Sequence, residues 1–162
     1  MTRGEVEAWL KEKGIPFEVT EHEPVFTIEE MERLGLTKLG TVCKNLFLRD
    51  GKGTKHFLVV MREDRRADLK RLSAQLNASR LSFASAERLM KYLGLTQGAV
   101  TPLGILNDAS HQVIVVLDKG LLGEKRLGIH PCENTATLWI SCPDLLKVIE
   151  LCGNPLIEEN FD

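Results

Sequence analysis

The stretch Val42-Cys43-Lys44-Asn45-Leu46-Phe47-Leu48-Arg49, then Asp50-Gly51-Lys52-Gly53, then His56-Phe57-Leu58-Val59-Val60-Met61, decides the fold. Two apolar runs of strand length flank a glycine-rich polar break, the pattern of a β-hairpin. Apolar residues are nearly continuous within each run instead of alternating. Both faces of this hairpin are therefore expected to be covered. Cover on both faces calls for helices.

The flanking sequence supplies them. Thr2 with Glu5 forms a capping box ahead of Val6, Trp9 and Leu10, and Gly14 stops that helix. Phe17 to Thr20 reads as a short strand, and His22-Glu23-Pro24 as a turn, since proline excludes its predecessor from the helical region. Thr27 and Glu30 form a second capping box, opening a short helix through Met31 and Leu34 to Gly35. Beyond the hairpin, Asp68 caps a helix through Leu69, Leu72 and Leu76. Leu81-Ser82-Phe83 is a short strand, and Ser85 caps a helix carrying Leu89, Met90 and Leu93 up to Gly94. Gln112 to Leu117 and Thr135 to Ser141 read as strands. Pro143 opens a last helix through Leu145, Leu146, Ile149 and Leu151. Strands and helices interleave without strict βαβ repetition. The expectation is an α+β fold with a mixed β-sheet, curled toward a barrel.

Bulk properties bound the function. The 162 residues suit a single domain, 1–162, with no repeat or linker in view. No apolar run approaches the length needed to span a bilayer, and the N-terminus lacks the apolar stretch of a secretory signal. A cytoplasmic location, with no membrane partner, is the expectation. Cys43, Cys132, Cys142 and Cys152 are scattered, so reduced and mostly buried thiols are expected, and no metal site. The net charge of −2 argues against coating DNA or RNA non-specifically, although it leaves room for a short RNA end on a local patch. Arg62, Arg65, Arg66, Lys70, Arg71 and Arg80 form one such cluster. Glu63, Asp64 and Asp68 interleave with it, so it reads equally as a solvated face.

No nucleophile elbow, Walker loop, zinc-protease helix or dinucleotide fingerprint is present. Three other features stand out. Lys44, followed by Asn45, opens an apolar strand. The ammonium either snorkels from the strand end or points into a pocket, where it can hold a phosphate or ester oxygen. Gly98-Ala99-Val100-Thr101-Pro102 is either an ordinary connection or a loop whose amides converge on a ligand, with Gly98 expected to adopt angles other residues avoid. His130 precedes Pro131, which holds it extended, either as a structural histidine or as one displayed at a strand end near Asn134-Thr135. His56 and His111 lack such a setting and are expected at the surface.

Taken in order along the chain, these segments resemble the bacterial prolyl-tRNA editing family. That family includes the YbaK and ProX/PrdX-like proteins and the insertion domain of bacterial prolyl-tRNA synthetases. The resemblance rests on His22 to Thr27, Val42 to Leu46, the G-x-x-x-P loop at 98–102, and His130 ahead of Asn134-Thr135. Cys152-Gly153-Asn154-Pro155 and the length are most similar to the ProX-type branch. The resemblance implies a mixed, curled β-sheet or incomplete barrel wrapped by helices, and a trans-editing deacylase without metal or cofactor, acting on the acceptor end of mischarged tRNA(Pro), with prolyl-tRNA synthetase as a further candidate partner. It implies Lys44 and Asn45 as catalytic positions. Val25, Phe26, Thr27, Gly98, Ala99, Val100, Thr101, Pro102 and His130 are implied as substrate-binding. Alanine is the expected amino acid. Cysteine or another small amino acid is the alternative, as is a non-catalytic tRNA- or synthetase-binding module on the same fold.

Overall fold

A computed structural model describes all 162 residues. Helix α1 (Arg3–Glu12) starts at Thr2, whose side chain accepts from the Glu5 N–H while the Glu5 side chain returns to the Thr2 N–H. Strand β1 (Glu18–Glu21) and helix α2 (Ile28–Arg33) follow, the latter capped by Thr27. The hairpin is β2 (Thr41–Arg49) and β3 (His56–Arg62), paired antiparallel from Cys43↔Arg62 to Arg49↔His56. Its connection is longer than the four-residue turn the sequence suggests. Asp50 organises it, accepting from the Thr54 and Lys55 N–H groups and the Thr54 hydroxyl. Then come α3 (Leu69–Gln75), β4 (Ser82–Phe83), α4 (Ala86–Leu93), β5 (Val113–Asp118), β6 (Leu127–Ile129), β7 (Ala136–Ile140), α5 (Cys142–Cys152) and β8 (Leu156–Glu159).

All eight strands form one mixed sheet in the order β1-β7-β6-β2-β3-β5-β8, with β4 on β2. β2–β6, β3–β5 and β5–β8 are parallel, and β1–β7, β6–β7, β2–β3 and β2–β4 are antiparallel. The sheet is open, ending at β1 and β8, with helices wrapped around it.

The double-sided cover of the hairpin is explicit. Leu58 and Val60 join a cluster of 24 buried residues that includes α1, α4 and α5 side chains. Their strand neighbours Phe57, Val59 and Met61 join a second cluster with Leu72 of α3 and Phe161. A third cluster gathers Val25, Met31, Leu36, Val42 and Trp139 under α2. Each fully buried Leu or Val contributes roughly 1.5–3 kcal/mol relative to exposure, so strands buried on both faces anchor the fold. His56 departs from the surface placement expected of it. It is only 2% exposed, stacked on Phe47 and tilted against Tyr92, and accepts from Arg88 at 2.9 Å. Phe47, Tyr92 and Arg88 cover its ring from the neighbouring strand and from α4.

Candidate active site

The site begins with a gap in the sheet. On its outer edge β2 pairs with β6 only at Thr41 and Val42, and with β4 only at Leu48 and Arg49. The Thr41 N–H donates to Arg126 and the Phe47 carbonyl accepts from Ala84, so odd-numbered residues direct their peptide groups to this edge. Asn45 is therefore the residue whose main chain faces the gap. A cavity of about 350 Å³ lies there, lined by Val25, Phe26, Thr27, Ile28, Glu29, Met31, Cys43, Lys44, Asn45, Gln97, Gly98, Val100 and His130. Alternation puts Lys44 on the opposite strand face from Cys43 and Asn45. All three nevertheless contribute to the lining.

Lys44 is half-buried, and its ammonium donates to the Arg65 carbonyl. An ammonium has three donors, so two remain for a ligand. The Asn45 Oδ1 is buried with no hydrogen-bond partner. A buried acceptor without a donor is unusual and unfavourable unless a donor reaches it.

The opposite wall comes from the segment ahead of α2. Val25 is buried and tied both ways to Asn134: its N–H donates to the Asn134 carbonyl at 3.2 Å, and Asn134 Nδ2 donates to the Val25 carbonyl at 3.0 Å. Thr27 accepts from Glu30, and Glu30 in turn accepts from the Phe26 N–H at 3.2 Å. The backbone carrying Phe26 is fixed by this cap, while its ring is 72% exposed. The ring lies against Gly98: a Cβ built there would be 2.9 Å from Phe26 Cε1 and 3.2 Å from Asn134 Nδ2. Gly98 does not have a positive φ. The position favours glycine for the close approach of an aromatic ring, a different reason from the backbone freedom expected from sequence.

The loop 98–102 is divided by the structure. Gly98 and Val100 line the cavity. Ala99, Thr101 and Pro102 are buried outside its lining. The Ala99 N–H is taken by the Thr96 carbonyl, and Thr101 caps the 3-10 turn at Pro102–Asn107 by accepting from Leu103. These three hold the loop's shape.

His130 Nδ1 lies 3.2 Å from the Ala136 carbonyl and must donate to it, which leaves Nε2 as the acceptor in the neutral ring. Burial pulls its pKa below the ordinary value; the Ala136 bond opposes this and nearby His22 adds to the lowering. His22 is itself held by the Glu23 carbonyl and Thr137. Gln97, Cys43, Ile28, Glu29 and Met31 were not singled out in the sequence. Their side chains are ordinary for loop, strand and helix positions, and only the third dimension brings them to the hollow.

No three His, Cys, Asp or Glu side chains converge in a way that could hold a metal ion. The four cysteines are free thiols. Burial pushes Cys132, Cys142 and Cys152 up to about 11 and Cys43 further, so none is an activated nucleophile. No helix is long and apolar enough to cross a membrane. What remains is a small cavity with a cation, a bare amide oxygen, a neutral imidazole and an aromatic wall. That set has the chemistry to hold and polarise an acyl ester, and it contains no activated thiol for a covalent route.

Residues 22–148 match the family model of the aminoacyl-tRNA editing domain. The chain is 48% identical over 147 residues to the prolyl-tRNA editing protein ProX of Acetoanaerobium sticklandii, covering 91% of this chain and 90% of that protein. It is 39% identical over 162 residues to the prolyl-tRNA synthetase associated domain-containing protein 1 of Danio rerio, covering 99% and 88%. A solved structure of a candidate trans-editing enzyme for prolyl-tRNA synthetase has a TM-score of 0.73 at 21% identity, covering 96% of this chain and 94% of that one. At that identity the likeness is one of fold.

Proposed function

The chain belongs to the aminoacyl-tRNA editing family, and from that premise we propose that residues 1–162 act as one editing domain that clears alanine from mischarged tRNA(Pro). The chain is an aminoacyl-tRNA deacylase. The amino acid and the tRNA are the proposal. The acceptor end of tRNA(Pro) is its macromolecular partner, and prolyl-tRNA synthetase the enzyme whose errors it corrects.

The observation that carries this reading is the meeting of Lys44, the unpartnered Asn45 amide oxygen, the Phe26–Gly98 wall and His130 on one hollow. Alanine and proline differ in apolar bulk. Missing methylenes cost a synthetase pocket only about 1–3 kcal/mol each, so a proline site cannot strongly reject alanine. A second site that sieves by size corrects the error. Val25 and Phe26, fixed by Asn134 and the Thr27–Glu30 cap, form that sieve, with His130 closing one side.

In the reaction, water adds its oxygen to the acyl carbon and the bond from that carbon to the ribose oxygen breaks. The proton lost by water ends on the ribose oxygen, giving free alanine and tRNA. Lys44 supplies the charge that stabilises the developing oxyanion or holds the adjacent phosphate. Gly98 and Val100 line the cavity, and their amides are the loop donors assigned to the carbonyl. Positioning and electrostatics suffice for an ester that is already labile.

A deacylation panel tests this. Tritiated Ala-, Cys-, Ser- and Pro-tRNA(Pro) are incubated with the parent chain and with Lys44→Ala. Alanine should be released fastest and proline spared, and Lys44→Ala should lose about 100-fold or more of the rate while keeping its circular dichroism. Faster release of cysteine or serine would reassign the substrate. Near-parental turnover by Lys44→Ala would remove the lysine from the chemistry.

A further inference from the structure

A second hollow of about 280 Å³ shares Asn45, Gln97 and Val100 with the first. It opens along the same unpaired edge of β2, toward β4. Its walls are Phe83, Ala84, Leu89 and Val100, and no charged side chain lines it. Phe83 is 63% exposed although it sits in a strand, and its ring adds nothing to the buried clusters. The Asn45 and Gln97 carboxamides stand at the partition between the two hollows. An exposed aromatic face beside neutral apolar walls, with two carboxamides at the rim, matches the needs of a nucleobase. It offers a π-face for stacking and donor and acceptor groups for the base's edge.

We propose that this second hollow seats a base of the unpaired 3′ end of the tRNA, stacked on Phe83. The inference rests on the editing reading above and extends it from the acyl group to the nucleotide. Continuity argues for this occupant. A ligand whose ester lies by Lys44 and Asn45 continues through its ribose to a base only one sugar away. The partition residues are common to both chambers, so a nucleotide can span them without leaving the β2 edge. The Asn45 carboxamide, on a residue that lines both chambers, then lies beside the ribose or the edge of the base. Exposure of Phe83 also means that changing it leaves the core intact.

The test uses the full chain and variants Phe83→Ala, Phe83→Leu and Phe83→Trp. Substrates are Ala-tRNA(Pro), 3′-O-alanyl-adenosine and alanylated cytidylyl-adenosine. Loss of one base stack raises KM by roughly tenfold or more. Phe83→Ala should show that rise on the tRNA with kcat nearly unchanged. Phe83→Leu, apolar but without a π-face, should stay impaired, and Phe83→Trp should recover. A defect that persists on alanyl-adenosine identifies the terminal adenine as occupant. A defect that first appears with the dinucleotide identifies the preceding cytosine. A KM for Phe83→Ala within twofold of the parent on tRNA, or full rescue by leucine, would overturn the proposal. If the parent releases no alanine, the substrate reading fails on its own. The base seat is then judged by affinity for uncharged CCA-ended tRNA, which Phe83→Ala should weaken to the same degree.

Discussion

Gly98→Ala isolates the aromatic wall of the cavity. The added Cβ would lie 2.9 and 3.0 Å from Phe26 Cε1 and Cδ1. Carbon atoms pack at about 3.5–4.0 Å, so the ring must retreat by about 0.6–1.1 Å. It can do so cheaply because it is largely exposed. Gly98 also lacks a positive φ, so alanine fits the backbone and restricts the unfolded chain, a gain of about 0.4–1 kcal/mol. The two effects nearly cancel, and Tm should move by no more than about 4 °C, the equivalent of 1 kcal/mol at this chain length. Catalysis is less tolerant, since misplacement by about 1 Å costs on the order of 100-fold. We expect kcat/KM on Ala-tRNA(Pro) to fall roughly 10- to 100-fold. The control is the same change in a Phe26→Ala background, where the ring is gone and the penalty should shrink below about threefold. The implied coupling is about 0.7–2.7 kcal/mol. A Gly98→Ala penalty that persists undiminished without Phe26 would refute the wall argument.

Two further predictions concern pH. Burial, first in each case, lowers the pKa of His56 and His130 below 6.5, with Arg88 adding to it at His56. As pH falls from 6.5 the unfolded chain binds these protons first, so stability present above 6.5 is lost down to the lowered folded values. Urea midpoints should fall between pH 7 and 5 and fall less in a His56→Gln/His130→Gln variant; a flat parental profile would contradict this. Glu63 has the opposite sign: burial, then Glu32 and Asp64, raise its pKa above 4.5, and its Oε2 has no partner. Its contribution is present below 4.5 and lost as pH rises through the folded value. Glu63→Gln should therefore raise Tm at pH 7, with the gain vanishing below about pH 4.5, and an unchanged or lowered Tm at pH 7 would show the carboxylate to be well solvated.

The elements legible in the sequence carried their own signals. The hairpin runs, the Thr2, Asp68 and Ser85 caps and the Gly94 stop are local chemistry, and each appears where that chemistry puts it. Strands β6 and β8 were not legible. Leu127-Gly128-Ile129 is three residues long with a central glycine, and Leu156-Ile157-Glu158-Glu159 is half acidic. They are strands because β2, β7 and β5 offer them edges. Tertiary pairing overrides weak propensity in such cases. His56 misled for a related reason: its burial follows from Phe47, Tyr92 and Arg88 packing on its ring, neighbours the residue itself does not announce.

The site divides along the same line. Lys44 was visible because a charge at the head of an apolar run conflicts with its surroundings. The gap beside it was not visible, because it is defined by where two other strands stop. β6 leaves β2 after Val42, and β4 joins it only at Leu48. An open strand edge is ordinarily a hazard, since it invites pairing with another chain. Here the free stretch from Cys43 to Leu46 is bounded by a paired strand at each end and faced by the Phe26–Gly98 wall, so an incoming strand has too little room to establish a ladder. A short ligand meets no such obstacle. On the proposed function, the interruption disfavours a polypeptide strand and leaves room for a small acyl group and its sugar, so the selectivity of the site would start from the sheet's own topology.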